Sequence, residues 1–285
     1  WTTKFGDAIE LSNNQVYTIA TTSPYSGNVD PDDNRVYQLN ARVQSTYYIR
    51  SNLFMGTPSR MIGLQYSSGT DSASWVGGPV KLDENIIHPR DTAIGGTPVV
   101  CFQHIWMAAC GTHTIQNNTT LGTTEVGVDL SNISNVLTNQ INILENTFSH
   151  NPSNLSGTSP LSQLTLKVNQ MDKLILVQNN TFNVQSGRKG IRIEGSKNIN
   201  IIQNTFNAPA AGSYIHLEMD NQTTNNDPAP PAANIWANTF NSTGAALNAG
   251  SRAIFLKRSN LLTVYDYQGL SLSGGAPNVY GDHIE

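Results

Sequence analysis

Residues 189–208 read KGIRIEGSKNINIIQNTFNA, and the end of that stretch returns elsewhere in the chain as LENTF at 144–148, QNNTF at 178–182 and ANTF at 237–240. Aligning on the shared asparagine gives a series: Asn52, Asn85, Asn118, Asn146, Asn180, Asn204 and Asn238, spaced by 33, 33, 28, 34, 24 and 34 residues. Three positions before each stands an aliphatic residue, in order Ile49, Leu82, Ile115, Ile143, Val177, Ile201 and Ile235. That pattern reads as a short strand with one buried column, ended by a turn. A second column appears when the remaining apolar stretches are aligned on their central residue: Leu39, Leu64, Phe102, Val128, Leu166, Ile193, Leu217 and Leu256. The two columns alternate along the chain, and helical spacing is nearly absent.

A repeat of this size is one supersecondary unit that cannot bury its apolar face alone, so it must stack on its neighbours. The expected fold is all-β, a right-handed single-stranded parallel β-helix of about eight coils. The asparagine is expected at a corner, where its amide bonds to the asparagine of the next coil and where it tolerates the left-handed conformation. The phenylalanine two positions on is expected to turn inward and stack. Leucine-rich repeats are the rival solenoid, but the spacings vary too much and no L-x-x-L-x-L frame persists.

Composition narrows the function. With 285 residues, 38% hydrophobic and only 13% charged, the chain is long enough for one sizeable core, read as a single domain over residues 1–285. A net charge of −4 gives no long-range attraction to nucleic acid or to an anionic membrane, and no apolar run approaches a membrane span. Because the chain opens on Trp1, it is expected to be a processed or truncated piece of a longer one. Cys101 and Cys110 are wrongly spaced for a zinc site and read as buried thiols or one local disulfide. No cofactor and no metal are expected. The wealth of Asn and Thr, with scarce Lys, points to an extracellular protein.

Through its I-x-x-N-x-F corners, the chain resembles over about residues 30–275 the right-handed parallel β-helix proteins of the pectate-lyase-like superfamily. That superfamily includes polysaccharide lyases, several glycoside hydrolase families and phage tailspikes. The resemblance implies a polysaccharide partner, a secreted, cell-surface or virion location, and the possibility of a homotrimer. It departs from the characterised enzymes in its motifs: the Asn-Thr-Asp, Gly-His-Gly and Arg-Ile-Lys signatures of polygalacturonases and the Asp-His pattern of pectate lyases are missing. GIRIEG is similar to a rung of β-helical alginate and chondroitin lyases, without the Leu-Arg-His-Gly rung that accompanies it there. Fold alone licenses no activity.

The outward positions of the second column carry the candidate chemistry. On a parallel β-helix they form a ladder with rungs about 4.8 Å apart, so residues distant in sequence become neighbours. After the central aliphatic come Asn40, Gln65, Gln103, Asp129, Lys167, Glu194, Glu218 and Lys257; before it come Gln38, Gly63, Cys101, Gly127, Thr165, Arg192, His216 and Phe255. From Asp129 onward the ladder is dense in ionisable groups, although the chain is poor in charge. Glu194 and Glu218, one rung apart at roughly 5 Å, have the separation of a retaining glycosidase pair, and Asp129 with Glu194, at roughly 9.5 Å, lies near the inverting range. One carboxyl of a close pair is held protonated and serves as acid. Lys167, Arg192, His216 and Lys257 are the candidate sugar-binding cations, and Phe255 a stacking platform. Lyase chemistry would use Lys167 or His216 as base and Arg192 to neutralise a uronate.

The competing reading makes the same charges ordinary cross-strand pairs, Lys167 with Glu194 and Glu218 with Lys257. The function expected is therefore polysaccharide binding and degradation, by a hydrolase or lyase, with a non-catalytic structural or adhesive solenoid as the alternative. Weaker candidates are the acidic turn Asp30–Arg35, a cation site or simply a solvated turn, and Trp236, a sugar platform or a residue covered by the insertion 220–234. The polar loops 151–160 and 220–234 are placed to wall a groove.

Overall fold

The computed structural model describes residues 9–18, 35–40, 47–56, 60–65, 80–89, 101–108, 111–131, 138–152, 162–167, 174–194, 199–208, 215–220, 233–242, 252–257, 267–268 and 271–273. All regular structure among them is β-strand, and every pairing between strands is parallel. Successive strands join three sheets in rotation: Ile199–Ile202 lies in the first, Thr205–Ala208 in the second and Ile215–Asp220 in the third, after which Ala233–Trp236 returns to the first. Each strand therefore pairs with the one a full repeat away, which is the topology of a parallel β-helix. Among the described residues the first two sheets hold nine strands each; the third has eight in its main path and a short ninth, Asn151–Pro152, beside Thr123–Ser131.

The first column stands as the repeat requires. Ile49, Leu82, Ile115, Ile143, Val177, Ile201 and Ile235 are in register across seven consecutive strands of the first sheet, each about 1% exposed or less. In the second sheet the inward residues Phe148, Phe182, Phe206 and Phe240 stack with ring centroids 4.7, 4.9 and 5.0 Å apart and ring planes within 12° of parallel. Near-parallel rings at the rung spacing show that these coils superpose with little twist.

Between the first two sheets runs an asparagine ladder with eight members, Asn14 preceding the seven that the spacing reveals. At Asn180 the backbone N–H and Nδ2 both donate to Oδ1 of Asn204, each at 2.9 Å, and Nδ2 also donates to the carbonyl of Ile143 at 2.8 Å. Oδ1 of Asn180 in turn accepts from the backbone N–H and Nδ2 of Asn146. These bonds satisfy groups that the turn takes out of the sheet ladders and buries. The corner geometry corrects one expectation. The left-handed residue is the one before the asparagine: Asn13, Ser51, Glu84, Asn117, Glu145, Asn179, Gln203 and Ala237 all have φ between 53° and 58°. A left-handed residue followed by an extended asparagine turns the chain while sending the amide along the solenoid axis.

The third sheet also departs from the expected register. Its strands are long enough to hold two inward aliphatics, and the alignment on one central residue mixed them. Val128 pairs with Leu164, not Leu166; Ile191 pairs with Leu217, which pairs with Ile254; Ile193 pairs with Met219, which pairs with Leu256. Further back, Ile105 and not Phe102 is the partner of Val128, and Gln103 is the partner of Val126. Asp30–Asn34, Cys110 and most of the two long loops lie outside the described residues.

Candidate functional site

The corrected register rebuilds the outer ladder. Thr165 pairs with Arg192, Arg192 with Glu218, and Glu218 with Phe255, while Asp129 pairs with Thr165 from the other side. Lys167 pairs with Glu194, Glu194 with Asp220, and Asp220 with Lys257. Glu194 and Glu218 are thus on neighbouring strands but two positions out of step, so they do not face each other. Asp129 shares the column of Arg192 and Glu218 rather than that of Glu194. The expected Lys167–Glu194 juxtaposition is present in the register; the expected one of Glu218 with Lys257 is replaced by Asp220 with Lys257.

Asp220 is the residue that sequence reasoning missed. It ends the strand IHLEMD, and choosing Leu217 rather than Met219 as the central aliphatic moved Glu218 into its place. A six-residue strand with aliphatics at both third and fifth positions, as in KGIRIE, was the available signal.

Around Glu218 the side chains are closely set. Its carboxylate is 2% exposed; Lys189 Nζ donates to Oε1 at 2.8 Å, and Arg192 Nε lies 3.5 Å from the same oxygen. Two cations therefore converge on one buried carboxylate, which offsets the cost of taking it out of water. Lys189 was not foreseen, because simple alternation puts it on the face of Ile191. Alternation breaks just there. A Cβ added to Gly190 would come within 2.6 Å of the His216 carbonyl oxygen and 3.1 Å of the Phe206 ring, so position 190 faces the interior and only glycine fits.

The same irregularity draws His216 in. It stands between Ile215 and Leu217, the partners of Lys189 and Ile191, and its ring lies 5.7 Å from Phe206 and 5.6 Å from Phe240. It is 6% exposed, and burial lowers its pKa to about 4. His216 therefore packs against the phenylalanine stack instead of standing on the outer ladder beside Arg192. In Ser162–Lys167, on the far side of Lys189–Glu194, Gln163 also turns inward and donates to the carbonyls of Phe148, His150 and Asn183. Gln163 thus ties the third sheet to the second and to His150 beyond Phe148's strand, and His216 packs on the same phenylalanine stack.

On the adjoining first sheet Trp236 is 45% exposed, as an outward position requires. Its neighbours on that face are amides and aliphatics, while the ion pairs of the first sheet, Arg50 with Glu10 and Lys81 with Asp83, lie at the other end of the solenoid.

The chain has been compared with models of known families, with curated proteins and with solved structures, and none of the three comparisons finds a match. Its fold class therefore rests on its own strand order and register: an all-β parallel β-helix with a buried asparagine ladder.

Proposed function

We propose that this chain binds a polysaccharide along the outer face of the third sheet and cleaves it there, with Glu194 and Asp220 as the reacting carboxyl pair. One observation carries this reading: the register sets Glu194 opposite Asp220 on adjacent strands, with Lys167 and Lys257 on the flanking rungs of the same column. Adjacent rungs are about 4.8 Å apart, close to the separation at which retaining glycosidases hold nucleophile and acid. One carboxylate attacks the anomeric carbon while the other, protonated, delivers its proton to the departing glycosidic oxygen; water then releases the sugar with the second group acting as base. Arg192, Lys167 and Lys257 are the sugar-binding cations. Glu218, held by Lys189 and Arg192, is a positioning residue that fixes the Arg192 guanidinium.

The experiment is to incubate the protein with a panel of acidic and neutral polysaccharides and to follow both reducing ends and unsaturated products. Glu194→Gln and Asp220→Asn should each lower product release by about a hundredfold or more while leaving the thermal melt nearly unchanged. Full activity in both variants would remove the pair from the reaction, and unsaturated products would replace hydrolysis with elimination.

A second reading, a non-catalytic adhesive or structural solenoid, is favoured by the pairing of Glu218 itself. That part of the ladder is engaged in internal ion pairs, as a load-carrying scaffold would have it. No depolymerisation of any panel member, with binding retained, would favour this reading over the first.

A further inference from the structure

We propose that the outer face of the first sheet around Trp236 is a second sugar-binding surface, and that it takes uncharged pyranose chains. The inference rests on the reading that the ligand is a polysaccharide, and it names the class of sugar and a place for it away from the charged ladder.

Trp236 is one of three large hydrophobic side chains that are exposed among the described residues, with Tyr48 and Ile86. It sits on a strand paired on both sides, opposite Ile202 and Gln268. Two positions earlier on the same strand is Asn234, opposite Asn200, and Asn234 Nδ2 donates to Asn200 Oδ1 at 2.8 Å. On the next strand back, Leu176 is opposite Asn200 and Gln178 is opposite Ile202. The outward positions of three successive strands are thus Leu176 and Gln178, Asn200 and Ile202, Asn234 and Trp236. Amides and apolar groups interleave at about 4.8 Å across strands and about 6.7 Å along them.

None of these six carries a charge. The early strands of the same sheet face carry Glu10, Arg50, Lys81 and Asp83, so the absence is a property of this end of the face and not of the sheet as a whole. A pyranose ring offers an apolar C–H face and a rim of hydroxyls, neutral throughout. An indole matches the first, and amides, which donate and accept at once, match the second. A uronate or sulfated chain would have to desolvate its charge here against no cation among these outward positions. A neutral chain loses nothing of that kind. The aromatic anchor is also the residue type that concentrates binding energy at interfaces.

Affinity electrophoresis tests this with the whole chain, in gels containing galactomannan, hydroxyethyl cellulose or polygalacturonate. The parent should be retarded by at least one neutral polymer. Trp236→Ala should weaken that interaction about tenfold and Trp236→Phe much less, while retardation by polygalacturonate is the same in all three. The inference is overturned if Trp236→Ala is retarded like the parent in neutral gels. It is also overturned, with the charged ladder left standing as a site, if the parent is retarded by polygalacturonate alone. Retardation by none of the three polymers would remove both readings. A parent that sediments as a dimer, with Trp236→Ala a monomer, would make this face a contact between copies and overturn the sugar assignment.

Discussion

An asparagine amide has two N–H donors and an acceptor oxygen on a side chain just long enough to reach the next rung, and at Asn180 all of these are used in bonds to Asn146, Asn204 and the carbonyl of Ile143. Removing the amide leaves several buried partners unsatisfied at once. Asn180→Ala should therefore cost about 2 to 4 kcal/mol in urea unfolding, whereas Asn14→Ala, at an exposed end of the ladder, should cost less than about 1 kcal/mol. Equal costs at the two positions would show that the ladder does not act through its buried bonds. The asparagine series was legible in the sequence because no other side chain supplies both roles at that length. The left-handed residue before it was not legible. Its eight occupants include Ser, Glu, Gln and Ala as well as Asn, and none is glycine, so nothing in residue type marks a conformation that costs an L-residue roughly 1 to 2 kcal/mol.

At the scale of the strand, the lesson lies in strand length. The first sheet presents four-residue strands such as Ile175–Gln178, whose inward positions come in one frame, and a constant offset to Asn places the whole column. Six-residue strands such as Ile215–Asp220 offer two inward frames, and only pairing partners decide between them. That ambiguity is why Glu218 was put where Asp220 stands; Lys189, which shares Glu218 with Arg192, was hidden instead by the break in alternation at Gly190. The second sheet avoids the ambiguity where each rung carries one inward phenylalanine, from Phe148 to Phe240. Phe206 is held between Phe182 and Phe240, so Phe206→Ala removes both stacking faces and leaves a cavity enclosed by rigid coils. The expected loss is about 4 kcal/mol, with Phe206→Leu nearer 1 kcal/mol, read from thermal and urea melts. A loss below 1 kcal/mol for the alanine variant would mean that the coils collapse onto the space.

Across the whole molecule, stability is nearly a sum over rungs and their interfaces, so a perturbation in one coil is felt chiefly by its neighbours. Acid provides a case. The His216 imidazole, buried against Phe206 and Phe240, takes up a proton at a pH near 4, whereas in the unfolded chain it does so near 6.5. The unfolded state therefore binds more protons between those values: the contribution is full above pH 6.5, falls as pH drops through the window, and is exhausted below about 4. The loss amounts to about 3 kcal/mol. His216→Gln should flatten the stability profile across that window, and an unchanged slope would assign the acid response to other groups. The asparagine ladder has a different reach. Because each backbone N–H donates to the side-chain oxygen of the following rung, every amide from Asn14 to Asn238 is oriented the same way. Sheet dipoles largely cancel, but these do not, and aligned amide dipoles add and polarise one another. The ladder is thus electrically polar along the solenoid axis, positive toward the Asn238 rung, so a row of one repeated side chain has two ends that an approaching ion would tell apart.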